Sequence, residues 1–398
     1  MKIVQVEDYF HPEAGYQINI ISKYFVKAGN SVTIIAACMD KIPETLNSFF
    51  GAEDIQNRDA EYTKKYGVKI IRKPLYTYTS GRAIFKPGLI KTICEEKPDI
   101  VFLHDNDKLS SIIGTLGRKK FHCPVILDSH MLAMASNNKF SKYFRSFYRH
   151  CITPIIIKEK IPVIRIQDDD YVNRFLGIPS ELTPFISVGS DTMLFHPDYS
   201  VRKEFRQKNN IPEDAFVVLY AGKLDETKGG MLLAEMAKNV YSDELNICFV
   251  IVGKTSGDYG KQVELCLSES NNKILRFNTQ KYQDLAQFYQ MADVAIYPKQ
   301  CSLSFYDAQA CGLPVVFEDN EVNKERAEKK SAVCFKRNDA EDFIRKIAWI
   351  AGCNSEVLQS MQKAAVDYIK KDYDYETISN EYLKIFKEEI MKRGDNKS

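Results

Sequence analysis

The chain has 398 residues, more than one hydrophobic core usually organises, so its length predicts two domains. Hydrophobic residues make up 44% of the sequence, which is enough for a core in each domain. Basic and acidic residues are interspersed and nearly balance, at a formal net charge of +2. This pattern argues against a nucleic-acid-binding protein, because such proteins concentrate basic residues on one surface.

The ten cysteines are scattered through apolar segments, without a C-x-x-C pair or a zinc-type spacing. We interpret them as reduced thiols of a cytoplasmic protein. The first residues, MKIVQV, are followed at once by Glu7 and Asp8, which is not the pattern of a secretory signal. No apolar run is long enough to span a bilayer.

Short β-branched runs alternate with amphipathic segments, which is typical of parallel sheets with crossover helices. A helix is predicted between the first two strands, because apolar residues recur at helical spacing from Ile18 to Ala28 and Gly29 follows them. The strands predicted in the first half are Lys2–Val6, Ser31–Ala36, Val68–Ile71, Ile100–Leu103, Pro124–Leu127, Val163–Ile166 and Thr183–Val188.

A polar, proline-bracketed segment at 195–215 interrupts this pattern and is interpreted as a hinge. The alternation then restarts, with helices predicted at Gly229–Tyr241 and Tyr282–Met291. The strands predicted in the second half are Phe216–Tyr220, Ile247–Val252, Ile274–Phe277, Val294–Tyr297 and Val315–Phe317.

The sequence therefore predicts an α/β protein of two Rossmann-like domains that face each other across a cleft. The first domain is assigned to residues 1–198 and the second to residues 213–372. The final helical stretch, about 373–398, is predicted to cross back and complete the first domain.

Ligands of such sheets bind beyond the carboxyl ends of the strands, so the loops at those ends are expected to hold the site residues. After the first strand, Gly15 and Tyr16 precede a helix whose backbone N–H groups suit a phosphate. His11 and Glu13 belong to the same loop. The alternative is a simple turn.

The loop after the first strand of the second half, YAGKLDETKGG, contains two candidate cations. Lys223 and Lys228 flank a short turn in which Gly222 and Gly229 permit a tight path. Two ammonium groups here would clamp a pyrophosphate and stabilise charge on a leaving group. The alternative is a pair of solvated surface lysines.

A third loop follows the strand Val294–Tyr297, in PKQCSLSFYDAQACGLPVV. Ser302 and Leu303 stand at a predicted helix start, where unpaired amides suit a phosphate. Asp307, inside that helix, would accept hydrogen bonds from the vicinal hydroxyls of a ribose. Its alternative role is to stabilise the helix dipole. Three phosphate-compatible loops at matching strand ends favour a nucleotide diphosphate as the ligand.

In chain order, several motifs resemble those of the retaining family-4 glycosyltransferases of GT-B architecture. FHPEAGYQ resembles their P-x-x-G-G loop, with Tyr16 in place of the second glycine, and DSH at 128–130 falls where they have an active-site histidine. Four later segments are also similar to family motifs. Their N-G-V-D-x-x-x-F-x-P is matched by SVGSDTMLFHP, and their G-R-x-x-x-x-K-G by GKLDETKGG. Their Y-x-x-A-D-V-x-x-x-P is matched by YQMADVAIYP, and their L-E-A-M-A-C-G-x-P-V-V by YDAQACGLPVV.

The resemblance implies a nucleotide-sugar donor held mainly by the second domain and an acceptor held mainly by the first. Lys223 and Lys228 match the pyrophosphate-binding Arg and Lys, and Asp307 matches the ribose-binding second glutamate of the E-x7-E element. Gly15 matches the phosphate-facing glycine, and His130 the histidine near the transferred sugar.

The sequence also departs from the family. Lys299 stands where the first glutamate is expected, and Gln300 is placed near that position in a shortened loop. Lys223 lacks the planar bidentate fork of an arginine. The implied mechanism is transfer with retention, in which the departing diphosphate helps to deprotonate the incoming hydroxyl.

No cofactor or metal is expected beyond the donor, for which a UDP-sugar is the prior choice. HDND at 104–107 and DDD at 168–170 imitate a metal-binding D-x-D motif, and that alternative stays open. The segment 137–150 alternates basic and aromatic residues at helical spacing. It is predicted either to rest on an anionic membrane surface, at the inner face of the membrane, or to pack its aromatics into the core.

The leading function is thus a metal-independent, retaining hexosyltransferase that adds a sugar to a glycan or lipid-linked acceptor in cell-surface polysaccharide synthesis. One alternative is a sugar-nucleotide epimerase or hydrolase of the same architecture. A second alternative, favoured by Lys299, is a nucleotide-sugar-binding assembly subunit without turnover.

Overall fold

The structure, a computed structural model, describes residues 1–43, 46, 50–131, 141–299, 303–320, 323, 326–327 and 330–395. Its contacts divide the chain into two compact units. The first combines Met1–Val188 with Tyr375–Ser398, and the second is Gly189–Asp374. Each unit is built on its own parallel sheet, so the predicted α/β class with two Rossmann-like halves is confirmed.

The sheet of the first unit has six parallel strands in the order β3-β2-β1-β6-β7-β8. Their β-branched and apolar residues are buried on both faces, as in other parallel sheets covered by helices. The strands are β1 (Lys2–Glu7), β2 (Ser31–Ala37), β3 (Val68–Lys73), β6 (Ile100–Leu103), β7 (Val125–Ser129) and β8 (Val163–Arg165). Strands β4 (Leu75–Thr79) and β5 (Arg82–Phe85) form a separate antiparallel hairpin.

Helices cover both faces of this sheet. The first helix, Gln17–Lys27, ends as predicted where Gly29 takes a left-handed conformation with φ +81°, so that its N–H closes the last turn on Val26 O. The other α-helices of the unit are Ile55–Tyr66, Leu89–Glu95, Leu109–Gly117, Ser141–Phe147, Thr153–Lys158 and Tyr375–Asp395.

The C-terminal helix, Tyr375–Asp395, completes the first unit, as the sequence predicted. It packs beside the first helix. Tyr382 and Phe386 lie within aromatic contact distance of Phe25 on that helix and Phe102 on β6. The opposite face of the sheet is covered by a separate apolar cluster that includes Val101, Leu103 and Leu127. One layer of this unit is therefore supplied by the end of the chain.

The second unit repeats the arrangement, with strand order β11-β10-β9-β12-β13-β14. Its strands are β9 (Phe216–Ala221), β10 (Ile247–Val252), β11 (Lys273–Phe277), β12 (Val294–Tyr297), β13 (Val315–Glu318) and β14 (Ala332–Phe335). Its α-helices are Tyr199–Lys208, Gly230–Lys238, Gly257–Ser268, Tyr282–Met291, Ser304–Ala310, Ala340–Ala351 and Ser355–Asp372.

The polar segment interpreted as a hinge contains the helix Tyr199–Lys208. The Asp198 carboxylate caps it by accepting from the N–H groups of Ser200 and Val201. Arg206, buried on this helix, pairs with Asp293 at 2.7 Å. The segment is thus part of the second unit.

Three local features of the structure differ from the prediction, one of which is that strand β14 was not predicted. Residues 183–188 do not form a strand, because Pro184 has no N–H to donate and only Phe185 bridges to Arg165. The hairpin of β4 and β5 was also not predicted. Its turn lies at Ser80 and Gly81, which both have positive φ. The sequence around this turn resembles a single polar loop.

Candidate active site

Each sheet has one switch point, which is the place where the chain leaves two neighbouring strands in opposite directions. In the first unit this point lies between β1 and β6, and in the second between β9 and β12. Ligands of open α/β sheets bind beyond the carboxyl ends of such strands. The sequence placed most of its candidate residues in the loops after three of these strands, β1, β9 and β12, and placed His130 after β7.

The loop after β9 holds the two predicted lysines. Gly222 N donates to Val252 O at 2.9 Å, and the Tyr220 hydroxyl donates to Lys223 O at 2.6 Å, so the backbone around Lys223 is fixed. The Lys223 side chain is exposed, whereas Lys228 is half-buried at the end of a short 3-10 turn. One short loop with a fixed backbone therefore carries both lysines.

Gly229 brings this loop against the loop after β12. Its φ of +76° is left-handed, and a Cβ placed there would lie 3.0 Å from side-chain atoms of Pro298 and Lys299. The Asp225 carboxylate accepts from Lys228 N at 3.0 Å and holds the approach to this turn. The predicted glycine requirement is therefore explained by close packing between two loops of one unit.

Gly253, after β10, is a functional candidate that the sequence analysis missed. Its φ is +141°, and a Cβ at this position would lie 1.8 Å from Gly222 O. Only a glycine fits beside the lysine loop. The available signal was its place at a strand end, the same place that Gly222 has after β9.

Asp307 is buried inside the second unit. Its Oδ1 accepts from the Ser190 hydroxyl at 2.7 Å. Burial raises the pKa of Asp307 to about 8 and nearby Asp191 adds to the effect, although the Ser190 hydrogen bond opposes it. The carboxyl is thus mainly protonated near neutral pH, which the sequence did not predict.

Leu303, another predicted donor contact, directly precedes the helix Ser304–Ala310 and is 49% exposed. The predicted contacts Gln300 and Ser302 lie outside the described residues. Lys299, which stands in place of the expected glutamate, is half-buried beside Gly229.

In the first unit, the loop after β1 presents Tyr16 and Gly15 just before the first helix. Tyr16 is 47% exposed, and Gly15 is half-buried. His11 does not face solvent: it is fully buried, its Nδ1 accepts from Glu13 N, and its Nε2 lies 3.1 Å from Gly51 O. Burial lowers the pKa of His11 to about 4. His11 therefore holds the loop and is not a ligand group.

His130, the predicted active-site histidine, follows β7 and is held by two carboxylates. Its backbone N–H donates to Asp105 Oδ1 at 3.1 Å, and its ring Nε2 lies 3.3 Å from Asp128 Oδ2. Burial alone would lower its pKa, but the charges of Asp105 and Asp128 outweigh this and raise the pKa of His130 to about 9. The ring is therefore an imidazolium at neutral pH.

The carboxylate between the histidines, Asp128, is fully buried and was not predicted as a site residue. Its Oδ2 lies 2.8 Å from His104 Nδ1, and its Oδ1 accepts from Asp105 N. His104 Nε2 in turn lies 2.9 Å from Gln5 Oε1. Although burial opposes its charge, His104 and His130 hold the pKa of Asp128 below its ordinary value.

Lys108, also missed, joins the loops after β1 and β6. Its ammonium group contacts Glu7 Oε1 and lies 2.7 Å from Asp105 Oδ2. Asp105 itself has φ +58°, a conformation that a non-glycine residue rarely adopts and that collects at functional sites. Burial would lower the pKa of Lys108, but Asp105 and Glu7 raise it well above its ordinary value.

Among the described residues, one group approaches the spacing of a metal site. His104, Asp128 and His130 each offer a ligand atom within 4.8 Å of the others. The hydrogen-bond partners already described account for these approaches. Of the D-x-D-like residues, Asp105 pairs with Lys108, and Asp107 pairs with Arg82 at 2.7 Å.

The predicted membrane segment is described from Ser141 onward, so Lys139 and Phe140 lie outside the described residues. Arg145 stacks 4.1 Å from the Phe175 ring centre, and Arg149 donates to backbone oxygens of the same region. Tyr143 and Phe147 are 77% and 48% exposed. The arginines thus face the protein, while two aromatic rings face outward.

None of the helices in the described part of the chain combines the length and the apolar character that a bilayer span requires.

Part of the sequence and the whole fold are similar to those of known proteins. Residues 201–369 match the family Glycosyl transferases group 1. The chain is 24% identical over 334 residues to a D-inositol 3-phosphate glycosyltransferase of Saccharomonospora viridis, covering 76% of this chain and 74% of that one. Alignments with two other proteins of that name span 56% and 55% of the relative's length.

A second kind of relative is the lipopolysaccharide 1,2-N-acetylglucosaminetransferase of Salmonella typhimurium, 32% identical over 122 residues, which cover 28% of this chain and 32% of that one. Among solved structures, Anabaena Alr3699/HepE in complex with UDP and glucose superposes with a TM-score of 0.71 at 15% identity, over 98% of this chain and 100% of that one. The resemblance seen in the motifs is confirmed: this chain has the group 1 glycosyltransferase sequence in its second unit and the GT-B fold of those enzymes.

Proposed function

We propose that the protein is a retaining glycosyltransferase that moves a sugar from a nucleotide-diphosphate donor to a hydroxyl of a glycan or lipid-linked acceptor. The observation that supports this best is the paired loop of the second unit. Lys223 and Lys228 stand on one fixed backbone, and Gly229 packs that backbone against the loop after β12. Two cations at the switch point of a Rossmann-like sheet suit a diphosphate.

The donor is proposed to be a UDP-sugar, in line with the UDP and glucose bound by the Anabaena protein. Lys223 and Lys228 contact the diphosphate, and Gly222 and Gly253 allow its close approach. Asp307, whose Oδ1 is taken by Ser190, offers its other carboxyl oxygen to the ribose hydroxyls. Leu303 is proposed to contact the same donor, and Gly15, Gln300 and Ser302 stay donor contacts predicted from the sequence.

In the proposed reaction, the bond between the anomeric carbon and the diphosphate oxygen breaks as the acceptor hydroxyl forms a new bond on the same face of the sugar. The hydroxyl proton passes to a diphosphate oxygen. Negative charge grows on the diphosphate in the transition state, so the lysines stabilise that state more than the bound donor. The His130 imidazolium donates a hydrogen bond near the transferred sugar.

The two lysines also explain why we propose a metal-independent reaction. They neutralise the diphosphate without a divalent cation. Turnover is therefore expected to survive excess EDTA. A loss of turnover that added Mg²⁺ or Mn²⁺ restores would contradict this part of the proposal.

The test of the function is the release of nucleoside diphosphate from a panel of nucleotide sugars, with and without glycan acceptors. Acceptor-dependent release supports transfer, and a changed sugar without release supports an epimerase. Binding without release supports the assembly subunit that Lys299 keeps as an alternative. Lys223→Met should abolish most release, whereas Lys261→Met, with an 81% exposed side chain on another helix, should not.

We also propose that the protein associates with an anionic membrane surface. Fewer residues support this proposal than the sequence predicted. Tyr143 and Phe147 are one helical turn apart and exposed, and exposed Lys142 adjoins them. Co-sedimentation with phosphatidylcholine vesicles that contain phosphatidylglycerol should be lost in the double variant Tyr143→Ser, Phe147→Ser. Tyr199→Ser, at an 84% exposed tyrosine of the second unit, should sediment as the wild type does.

A further inference from the structure

The crevice at the carboxyl ends of β1 and β6 has an aromatic rim that the proposed donor chemistry does not need. The exposed ring of Tyr16 meets the edge of Tyr9, with ring centres 6.0 Å apart. Burial raises the pKa of both Tyr16 and Tyr78, and the nearby Glu7 charge adds to the rise in each. Tyr16 and Tyr78 thus lie near the buried Glu7 carboxylate, and Tyr9 packs against Tyr16.

Next to these tyrosines lie polar side chains that include both hydrogen-bond donors and hydrogen-bond acceptors. Lys108 stands between Glu7 and Asp105, and their side chains are 14%, 10% and 19% exposed. A carboxylate accepts from a hydroxyl, and an ammonium group donates to the next one. Vicinal hydroxyls of a sugar ring match this alternation, while the apolar C–H face of the ring matches an exposed tyrosine face.

The crevice has an excess of carboxyl groups. Besides Glu7 and Asp105, it contains Asp8, which is fully buried, and the bridging Asp128. Burial raises the pKa of Asp8 to about 6, although Lys108 opposes the rise, so Asp8 is mostly ionised at neutral pH. Lys108 and His130 do not balance four carboxylates. An anionic ligand would therefore meet net repulsion here.

A buried amide oxygen points to a missing ligand group. Gln17 directly follows Tyr16, is 7% exposed, and donates from Nε2 to the Tyr382 hydroxyl at 2.9 Å. Its Oε1 has no hydrogen-bond partner in the part of the chain that the structure describes. Burial raises the pKa of the Tyr382 hydroxyl, and the charge of nearby Asp128 adds to this rise. Buried amide oxygens rarely stay unpaired, so a bound hydroxyl would satisfy this one.

We propose that this crevice is the acceptor subsite and that it takes an uncharged sugar ring, stacked on Tyr16 and hydrogen-bonded by Glu7, Lys108 and Asp105, while it excludes phosphorylated acceptors. Tyr16 is thereby reassigned from the donor to the acceptor. The proposal rests on the proposed function and deepens it. It also separates this protein from the relatives named for D-inositol 3-phosphate, whose acceptor is anionic by name.

The test measures UDP release from UDP-sugars with four neutral sugars as acceptors: glucose, galactose, mannose and N-acetylglucosamine. Each is matched with its own 6-phosphate. Neutral sugars should accelerate release, with kcat/KM at least about 50-fold above that of the matched phosphate, because the phosphate meets uncompensated carboxylates. UDP binding, followed separately by calorimetry, reports on the donor half of the site.

Variants connect the preference to the named residues. Tyr16→Ala should raise the acceptor KM about 10-fold, and Tyr16→Phe, which keeps the ring, should stay within about twofold. Glu7→Gln should narrow the ratio between a neutral sugar and its 6-phosphate at least about fivefold, a change of ratio that a merely structural role would not give. Tyr199→Ala serves as the exposed-tyrosine control.

Several results would overturn the inference. One is equal or better use of the 6-phosphates. Another is an identical loss in Tyr16→Ala and Tyr16→Phe. A third is failure of every neutral sugar while UDP still binds and the donor is still hydrolysed. If UDP neither binds nor is released, the proposed function itself is wrong, and the calorimetric measurement shows this separately.

Discussion

The clearest quantitative prediction concerns the charge of His130. Asp105 and Asp128 raise its pKa from the ordinary 6.5 to about 9 despite burial. This difference corresponds to roughly 3 kcal/mol of preferential stabilisation of the imidazolium. Because the folded pKa is the higher one, the stabilisation is fully present below pH 6.5 and is lost as the pH rises through 9. Between pH 7 and pH 10 the folded state should lose about 2.5 kcal/mol from this group.

The assay compares wild type with His130→Gln in urea titrations at both pH values. Other groups titrate in this range, but they are common to both proteins, so the difference between the two free energies of unfolding isolates His130. That difference should shrink by about 2 kcal/mol from pH 7 to pH 10. The imidazole ¹H–¹³C signals should show one histidine that titrates near pH 9.

Asp128→Asn removes one of the two carboxylates beside His130 and should lower the pKa of His130 toward 6.5. If the imidazolium acts in transfer, the alkaline limb of the pH–rate profile should also shift to lower pH in this variant. Asp258→Asn, whose 91% exposed side chain lies in the second unit, is the matched control and should change neither. A wild-type His130 that already titrates near 6.5, or a difference in unfolding free energy that is independent of pH, would refute the reasoning.

Three further predictions test the second unit. Lys228→Met should lower the rate of UDP release at least about tenfold with a smaller change in UDP affinity; equal losses in both would show that the charge acts in the ground state. Gly253→Ala should lower the free energy of unfolding by about 2–4 kcal/mol, because its Cβ would meet Gly222 O at 1.8 Å; a variant as stable as wild type in urea would contradict the close approach. Asp307→Asn should weaken UDP binding in calorimetry yet gain stability relative to wild type as the pH rises toward 8, since burial keeps that carboxyl protonated in the fold and makes its ionisation costly; constant relative stability would be the opposing result.

The parts of the site that the sequence predicted are those encoded locally. Lys223, Lys228 and Gly229 were found because a short loop with two glycines directly follows a recognisable strand, and strand ends collect ligand groups. His130, after β7, was found only through the resemblance of DSH to the active-site motif of the family. Periodicity likewise predicted most strands, because parallel strands are continuous apolar runs.

The parts that were missed depend on pairings between distant segments. Asp307 meets Ser190, 117 positions earlier, and that contact buries the carboxyl and raises its pKa. Asp128 bridges His104 and His130 only because β6 and β7 are neighbours in the sheet. A single sequence shows Asp128 only as a polar residue at a strand end and Asp307 only as a carboxylate within a helix. Strand order, and with it the partner of each charge, comes only from the fold.

The two switch points show how one topology supports opposite electrostatics. In the second unit the crevice is lined by lysines and by glycines such as Gly253, whose missing side chain lets backbone atoms and a diphosphate come close. In the first unit the equivalent position holds Glu7 and Asp128, partly neutralised by Lys108. A cationic crevice stabilises the charge that develops on a leaving diphosphate, and an anionic one repels that group while it accepts hydrogen bonds from hydroxyls. Under the proposed function, this difference in charge assigns the donor to the second unit and the acceptor to the first, and a variant that reverses the charge at Glu7 should redirect acceptor choice before it affects donor binding.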